Sequence, residues 1–264
     1  MIAVLYLLAN RPAPPSPPSP PEGFKLAWER QVANLESGDE TPDYVVTLAG
    51  DRVRVETRVA WVARKRKEQK EPPADVVIKQ AQATFRWHKG DGVKVDDGWL
   101  VGYDAGEFGG GLYWIDEKNL SKRLISDRRT PFLAKTARGI FAIQSYSHFS
   151  FGYSQLVALD LKEGTWHTQA ITDLHSNPVS IVLEGDRFIL AQSKYVTTLE
   201  TNGRQREIFR PTQLIGGFLI ESMVRSPNGE IWIGSQNAVV CLQPRGPDNY
   251  SPYWFIAKTS RKRN

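Results

Sequence analysis

The sequence predicts an all-β fold, a single β-propeller of five four-stranded blades, and three observations carry that expectation. The 264 residues include 8 Trp, 9 Tyr and 11 Phe against 2 Met, an apolar set weighted towards residues that suit a pleated, half-buried surface. A Gly-containing turn followed by an apolar strand recurs four times, at Asp97–Tyr103, Arg138–Ser145, Gly185–Ser193 and Asn228–Ser235, and its anchors Trp99, Phe141, Phe188 and Trp232 are spaced by 42, 47 and 44 residues. A four-stranded repeat of about 40–45 residues has the period of a propeller blade, and such units bury their faces only by packing on one another.

The chain divides into a head with a Pro-rich spacer at 1–22, a lead-in segment at 23–41, the propeller at 42–258 and a basic tail at 259–264. In the head, the apolar stretch Ile2–Ala9 is far shorter than the roughly 20 residues of a membrane-spanning helix. It matches a signal sequence only in part, because no charged region precedes it. Leu7, Leu8 and Ala9 look like the residues before a lipoprotein cysteine, but Asn10 stands in that place. Seven of the 17 prolines then fall between Pro12 and Pro21, which makes a stiff extended spacer. A head, a spacer and a domain lead us to expect an extracytoplasmic protein, periplasmic or secreted, ahead of a cytoplasmic one. A membrane tether at the N-terminus and no transmembrane span are expected.

Phe24, Trp28, Val32 and Leu35 have helical spacing, so the lead-in is expected to be a short helix or irregular. Strand material there would make six blades, the alternative architecture. Tyr44–Val62, with Gly50-Asp51 between two alternating strands, reads as part of the first blade. The four repeats supply the others. Each recurring strand is preceded by one such as Val179–Leu183 or Phe218–Val224. It is followed by a third strand (Gly111–Asp116, Gln155–Asp160, Tyr195–Glu200, Ala238–Gln243) and a short fourth (Lys122–Ser126, Thr165–Ile171, Gln205–Phe209, Tyr253–Lys258). A β-sandwich would not explain four copies of one turn–strand unit.

The formal charge of +5 invites a nucleic-acid reading. The excess lies in two short stretches, Arg64–Glu71, read as a loop leading into Pro72 and Pro73, and Lys258–Arg263; the rest of the chain is slightly negative. Neither stretch interleaves basic residues with stacking aromatics. Two solvated segments are expected, and nucleic acid is not the expected partner. The single Cys241 cannot form an internal bridge.

Pro227-Asn228-Gly229-Glu230-Ile231-Trp232-Ile233-Gly234 resembles the repeat of bacterial regulator-type propellers. Gly106-Glu107-Phe108-Gly109-Gly110-Gly111-Leu112-Tyr113-Trp114 is similar to a motif of uncharacterised bacterial propeller-like proteins. The resemblance implies the fold and a role in sensing, binding or scaffolding, and it carries no catalytic residue across.

In a four-stranded blade the loop between strands two and three shares a face with the connection to the next blade. Two of these loops, around Lys194 and Gln236, are short. Two in neighbouring blades are long, Asp104–Gly110 and Ser145–Tyr153, and the connections Asp127–Arg129 and Thr172–Ser176 join them. The candidate binding residues on this face are Asp104, Glu107, Phe108, Arg128, Arg129, Tyr146, His148, Phe149, Phe151, Tyr153 and His175. Aromatic rings on a rigid scaffold give large contact area at low entropic cost.

Catalytic signals are weak by comparison. Asp104 or Glu107 could serve glycoside hydrolysis if paired at the right separation. Asp173 and His175 would need a third ligand to bind zinc, and no HExxH or paired cysteines are present. Asp91, Asp96 and Asp97 resemble a calcium loop only loosely, since the twelfth position is Gly102. No GxSxG elbow occurs, and Gly109–Gly111 lack the strand-to-helix context of a phosphate cradle. No catalytic residue, metal or cofactor is therefore assigned. The expected function is a non-enzymatic propeller that recognises a protein or peptide partner through one loop face, in specific form a bacterial accessory or immunity-type protein. A carbohydrate-active propeller hydrolase, with a carbohydrate as partner, is the alternative, and a sensor or signalling scaffold is third.

Overall fold

A computed structural model describes residues 16–28, 42–68, 89–104, 109–148, 151–212 and 219–258. Its elements in order are β1 (Phe24–Ala27), β2 (Tyr44–Ala49), β3 (Arg52–Thr57), α1 (Arg58–Glu68) and β4 (Lys89–Val95), followed by β5 (Gly98–Asp104), β6 (Gly110–Ile115) and β7 (Lys122–Ser126). Then come β8 (Arg129–Thr136), β9 (Gly139–His148), β10 (Phe151–Lys162), β11 (Thr165–Leu174), β12 (Ser180–Glu184), β13 (Arg187–Ala191), β14 (Val196–Glu200) and β15 (Gln205–Phe209). The last are β16 (Ile220–Arg225), β17 (Ile231–Ser235), β18 (Val239–Gly246) and β19 (Asn249–Ala257).

Consecutive antiparallel strands form the sheets β4–β7, β8–β11, β12–β15 and β16–β19, and among the described residues β2 pairs with β3 alone. The four recurring turn–strand units are the second strands β5, β9, β13 and β17, so the period read from the sequence is the blade period. Together the five sheets make a β-propeller of about five blades; among the described residues three are four-stranded and the β16–β19 blade is widened to five strands by β1.

Strand alternation explains how the blades pack. In β8–β11, Leu133, Ile140, Ala142, Val157 and Leu159 face Val93, Val95, Leu100 and Leu112 of the preceding blade. The alternate residues Ala134, Phe141, Ile143 and Leu156 face Phe188, Leu190 and Leu199 of the following blade. The same logic joins β12–β15 to β16–β19 through Ile189, Val196, Ile231 and Ile233. Trp232, Val239 and Phe255 then pack on Tyr44 and Val46 of β2. Phe188 is fully buried, and burying such a ring contributes roughly 1.5–3 kcal/mol. Polar contacts also staple the third and fourth four-stranded blades: Glu184 accepts from Arg187 Nε at 2.5 Å and faces Arg225 Nη2 at 2.5 Å, and Arg187 Nη1 donates to Asp248 at 2.5 Å.

Two glycines on second strands let neighbouring backbones approach. A Cβ on Gly102 would lie 2.7 Å from the Thr130 carbonyl oxygen of the next blade, and one on Gly234 would lie 2.3 Å from that of Tyr44. The same residue type thus plays the same role towards β8 and towards β2, which marks the β2–β3 sheet as the blade following β16–β19.

Three expectations need correction. Phe24–Ala27 is a strand on the outer edge of β19, not a helix, with Phe24 and Ala27 buried and the two residues between them exposed. The open edge of β19 offers backbone partners that a solitary amphipathic turn lacks. The basic run does not begin as a loop, because Arg64–Glu68 belongs to α1. Thr57 Oγ1 accepts from the Ala60 N–H at 3.3 Å as an N-cap, no Gly or Pro interrupts the helix, and Arg64 chelates Glu56 at 2.7–3.0 Å. Finally, Ser145–Tyr153 is not a long loop, since β9 and β10 continue as a hairpin to His148 and Phe151. The head up to residue 15, the lead-in from residue 29 to 41 and the tail after Lys258 lie outside the described residues. Among the described residues no helix is long and apolar enough to cross a membrane.

Candidate recognition face

The β9–β10 hairpin outgrows its blade. The innermost strand β8 begins opposite Ser145, with Arg129, and β11 ends opposite Ser154, with Leu174. Beyond those positions Tyr146 pairs with Tyr153, Ser147 with Gly152 and His148 with Phe151, so a two-stranded ribbon stands above the four-stranded sheet.

Its base is held by buried hydroxyls. Ser154 Oγ donates to Asn177 Oδ1 at 2.5 Å and lies 2.8 Å from Ser145 Oγ; because the Ser154 proton is committed to Asn177, Ser145 is the donor in that contact. Both serines are buried, so the bonds carry the full value of satisfied polar groups away from water. Asn177 also occupies the space a Cβ on Gly152 would need, at 2.5 Å. This face of the ribbon is therefore closed by the connection leading into β12.

Alternation places the tyrosines on the other side. Ile140 and Ala142 of β9, and Val157 and Leu159 of β10, face the β4–β7 blade, and Tyr146 and Tyr153 continue those two series. Their rings stack at a centroid distance of 5.7 Å and 29° between planes, and they remain 52% and 45% exposed. Gln144, one turn of the pleat below Tyr146, is buried, and its Nε2 has no hydrogen-bond partner among the described residues.

On the same side, where the two blades meet, Arg129 Nε donates to Asp104 Oδ1 at 2.6 Å and Nη2 to Oδ2 at 3.1 Å. Thr130, buried next to it, donates to the Arg128 carbonyl at 3.0 Å. These bonds fix a sharp connection from which the Arg128 side chain projects, exposed.

The structure therefore joins Asp104 with Arg129 and Tyr146 with Tyr153, and sets Arg128 beside Arg129. His175 is exposed and follows Leu174, the last residue of β11. For His148 and Phe151 only the backbone pairing is described, and Glu107, Phe108 and Phe149 lie outside the described residues. Sequence reasoning missed Gln144, Ser145, Ser154 and Asn177. The alternation of Tyr146 and His148 with Ser145 and Ser147 is a strand pattern that could have indicated the ribbon and its polar inner face. Among the described residues no three His, Cys, Asp or Glu side chains converge to hold a metal ion.

Fold and face together define a β-propeller whose second four-stranded blade carries a projecting aromatic ribbon. No protein-family model matches the chain, and no curated protein matches it. Among solved structures the chain is similar to the crystal structure of the N-terminal domain of Nup159, with 14% sequence identity and a TM-score of 0.41 over 93% of this chain and 70% of that one.

Proposed function

We propose that the protein is a recognition module that binds a protein or peptide partner on the face between the tyrosine ribbon and the Asp104–Arg129 junction. The observation that carries the reading is the stacked pair Tyr146–Tyr153, half-exposed on a ribbon whose opposite face is locked by Ser145, Ser154 and Asn177. Large aromatic area already ordered before binding favours association, because little side-chain entropy remains to be lost. The Arg128 guanidinium adds a charge-assisted donor for a partner carboxylate or backbone carbonyl.

Of the two carboxylates considered for glycoside hydrolysis, Glu107 lies outside the described residues and Asp104 is engaged. A general acid must present a free carboxyl to the scissile bond, whereas both Asp104 oxygens are occupied by Arg129. The finer form of the reading, a bacterial accessory or immunity-type protein acting outside the cytoplasm, is suggested by the small size and the weak catalytic signals of the sequence, with the bacterial origin taken from the resemblance of Pro227–Gly234 and Gly106–Trp114 and the location from the apolar, Pro-rich head.

A random 12-residue peptide library displayed on phage tests the proposal. Selection on the full chain is expected to enrich peptides whose affinity falls at least about tenfold with the double substitution Tyr146→Ser and Tyr153→Ser, the size of loss typical of central aromatic anchors. Enriched peptides that bind the double variant as well as the parent chain would overturn it.

A further inference from the structure

At the opposite end of the wedge between the β4–β7 and β8–β11 blades, the sheets part around a cleft of about 190 Å³. Ile140, Leu161 and Trp166 make its apolar wall, and Asp96, Asp97 and Lys135 stand at its rim. Ile140 is buried and Trp166 half-buried, whereas Leu161 is 48% exposed. An aliphatic side chain is thus held open to solvent beside an indole. The residues belong to rigid elements: Lys135, Ile140 and Leu161 project from β8, β9 and β10, and the two aspartates form the turn between β4 and β5.

The rim charges differ from their neighbours. Lys94, on β4 just before the turn, is paired with Glu117, and Arg138 reaches Asp186 at 3.6 Å. Among the described residues Asp96, Asp97 and Lys135 make no ion pair, with each other or with anything else. Opposite charges that line one cleft without touching leave a gap between them. A ligand that fills it must offer a cation to the aspartates, an anion to the lysine and apolar surface to the wall. A singly charged ligand would leave one rim charge facing a like charge, which is a cost rather than a gain. The cleft is also smaller than the roughly 300–1,000 Å³ of sites for drug-sized ligands, too small for a nucleotide or an oligosaccharide.

We propose that this cleft binds a free apolar α-amino acid. The α-ammonium pairs with Asp96 and Asp97, the α-carboxylate with Lys135, and the side chain packs on Ile140, Leu161 and Trp166. The site is separate from the tyrosine face, at the other end of β9, and does not depend on it.

Isothermal titration of the full chain with L-leucine, L-leucinamide and 4-methylpentanoate tests the proposal. Leucinamide lacks the carboxylate and 4-methylpentanoate the ammonium. L-leucine is expected to bind at least about tenfold more tightly than either, the scale of losing one charge-assisted contact. Lys135→Met is expected to weaken L-leucine about tenfold without weakening leucinamide, and Asp96→Asn with Asp97→Asn to weaken L-leucine without weakening 4-methylpentanoate. All three substitutions are at exposed positions, so matched thermal melts exclude unfolding as the cause. Absence of binding by leucine, valine, methionine and phenylalanine at about ten millimolar, a range in which even weak specific sites fill, would overturn the proposal. So would equal affinity for leucine and leucinamide, or leucine binding indifferent to Lys135→Met.

Discussion

Arg129 holds Asp104 through two parallel hydrogen bonds, of 2.6 and 3.1 Å, and so ties the last residue of β5 in one blade to the first residue of β8 in the next. Both side chains are less than one-fifth exposed, at 17% and 19%.

Breaking that clamp from one side leaves a largely buried charge without its partner. Arg129→Met and Asp104→Asn are each expected to lower stability by about 2 kcal/mol, below the value for a fully buried pair because water still reaches both groups. The double variant is expected to recover part of the loss. Urea unfolding of the four chains in a double-mutant cycle checks this, and strict additivity would show that the two residues are not coupled.

Gly234→Ala is expected to cost about 3 kcal/mol, since its Cβ would overlap the Tyr44 carbonyl and push β2 away from β17. Gly102→Ala should behave alike through Thr130. Gly50→Ala, where a Cβ meets nothing within 4 Å, is the control and should cost about 1 kcal/mol through its positive φ alone. Thermal melts of the three variants report the order.

Burial pushes the Cys241 thiol well above its ordinary value of 9.0, and the Glu230 carboxylate adds to the effect. The folded protein thus binds the thiol proton more tightly than the unfolded chain does. Its contribution is fully present below pH 9.0 and is lost as pH rises above it, by at most about 1.4 kcal/mol per pH unit. Denaturant midpoints between pH 7 and pH 10.5 should fall more steeply for the parent chain than for Cys241→Ala. In the native state, thiol reagents at pH 8 should react at less than about one-hundredth of the rate seen in denaturant, because the nucleophile is the thiolate.

Asn177→Ala should loosen the ribbon without unfolding the blade. It leaves the buried Ser154 hydroxyl without its acceptor, at a cost of about 1–2 kcal/mol. Amide hydrogen exchange is expected to accelerate at Tyr146 and Tyr153 and to stay unchanged at Ile189 and Leu190 in the next blade.

The architecture was legible because propeller blades repeat: Trp99, Phe141, Phe188 and Trp232 sit at matching places, and the turns between strands carry Gly. The lead-in was misread because Phe24 and Trp28 fit a helical period, while the feature that decides their conformation, the free edge of β19, lies more than 200 residues away in sequence. Of the nominated residues, Asp104 meets Arg129 and Tyr146 meets Tyr153. The aromatic loop proved to be a strand pair, because backbone pairing between Ser145 and Ser154 continues upward once both residues are buried. Asn177 and Gln144 were missed, since a single buried hydrogen bond across 23 residues leaves no periodic trace.

Partner binding is proposed for the tyrosine ribbon and the junction beside it. Its most direct test is the hydrogen-exchange footprint of a peptide enriched from the displayed library, measured on the full chain. Slowed exchange is expected at residues 126–130 and 144–154, and no change around Asp96, Lys135 and Leu161. Protection confined to other blades, with the ribbon exchanging as in the free protein, would contradict it.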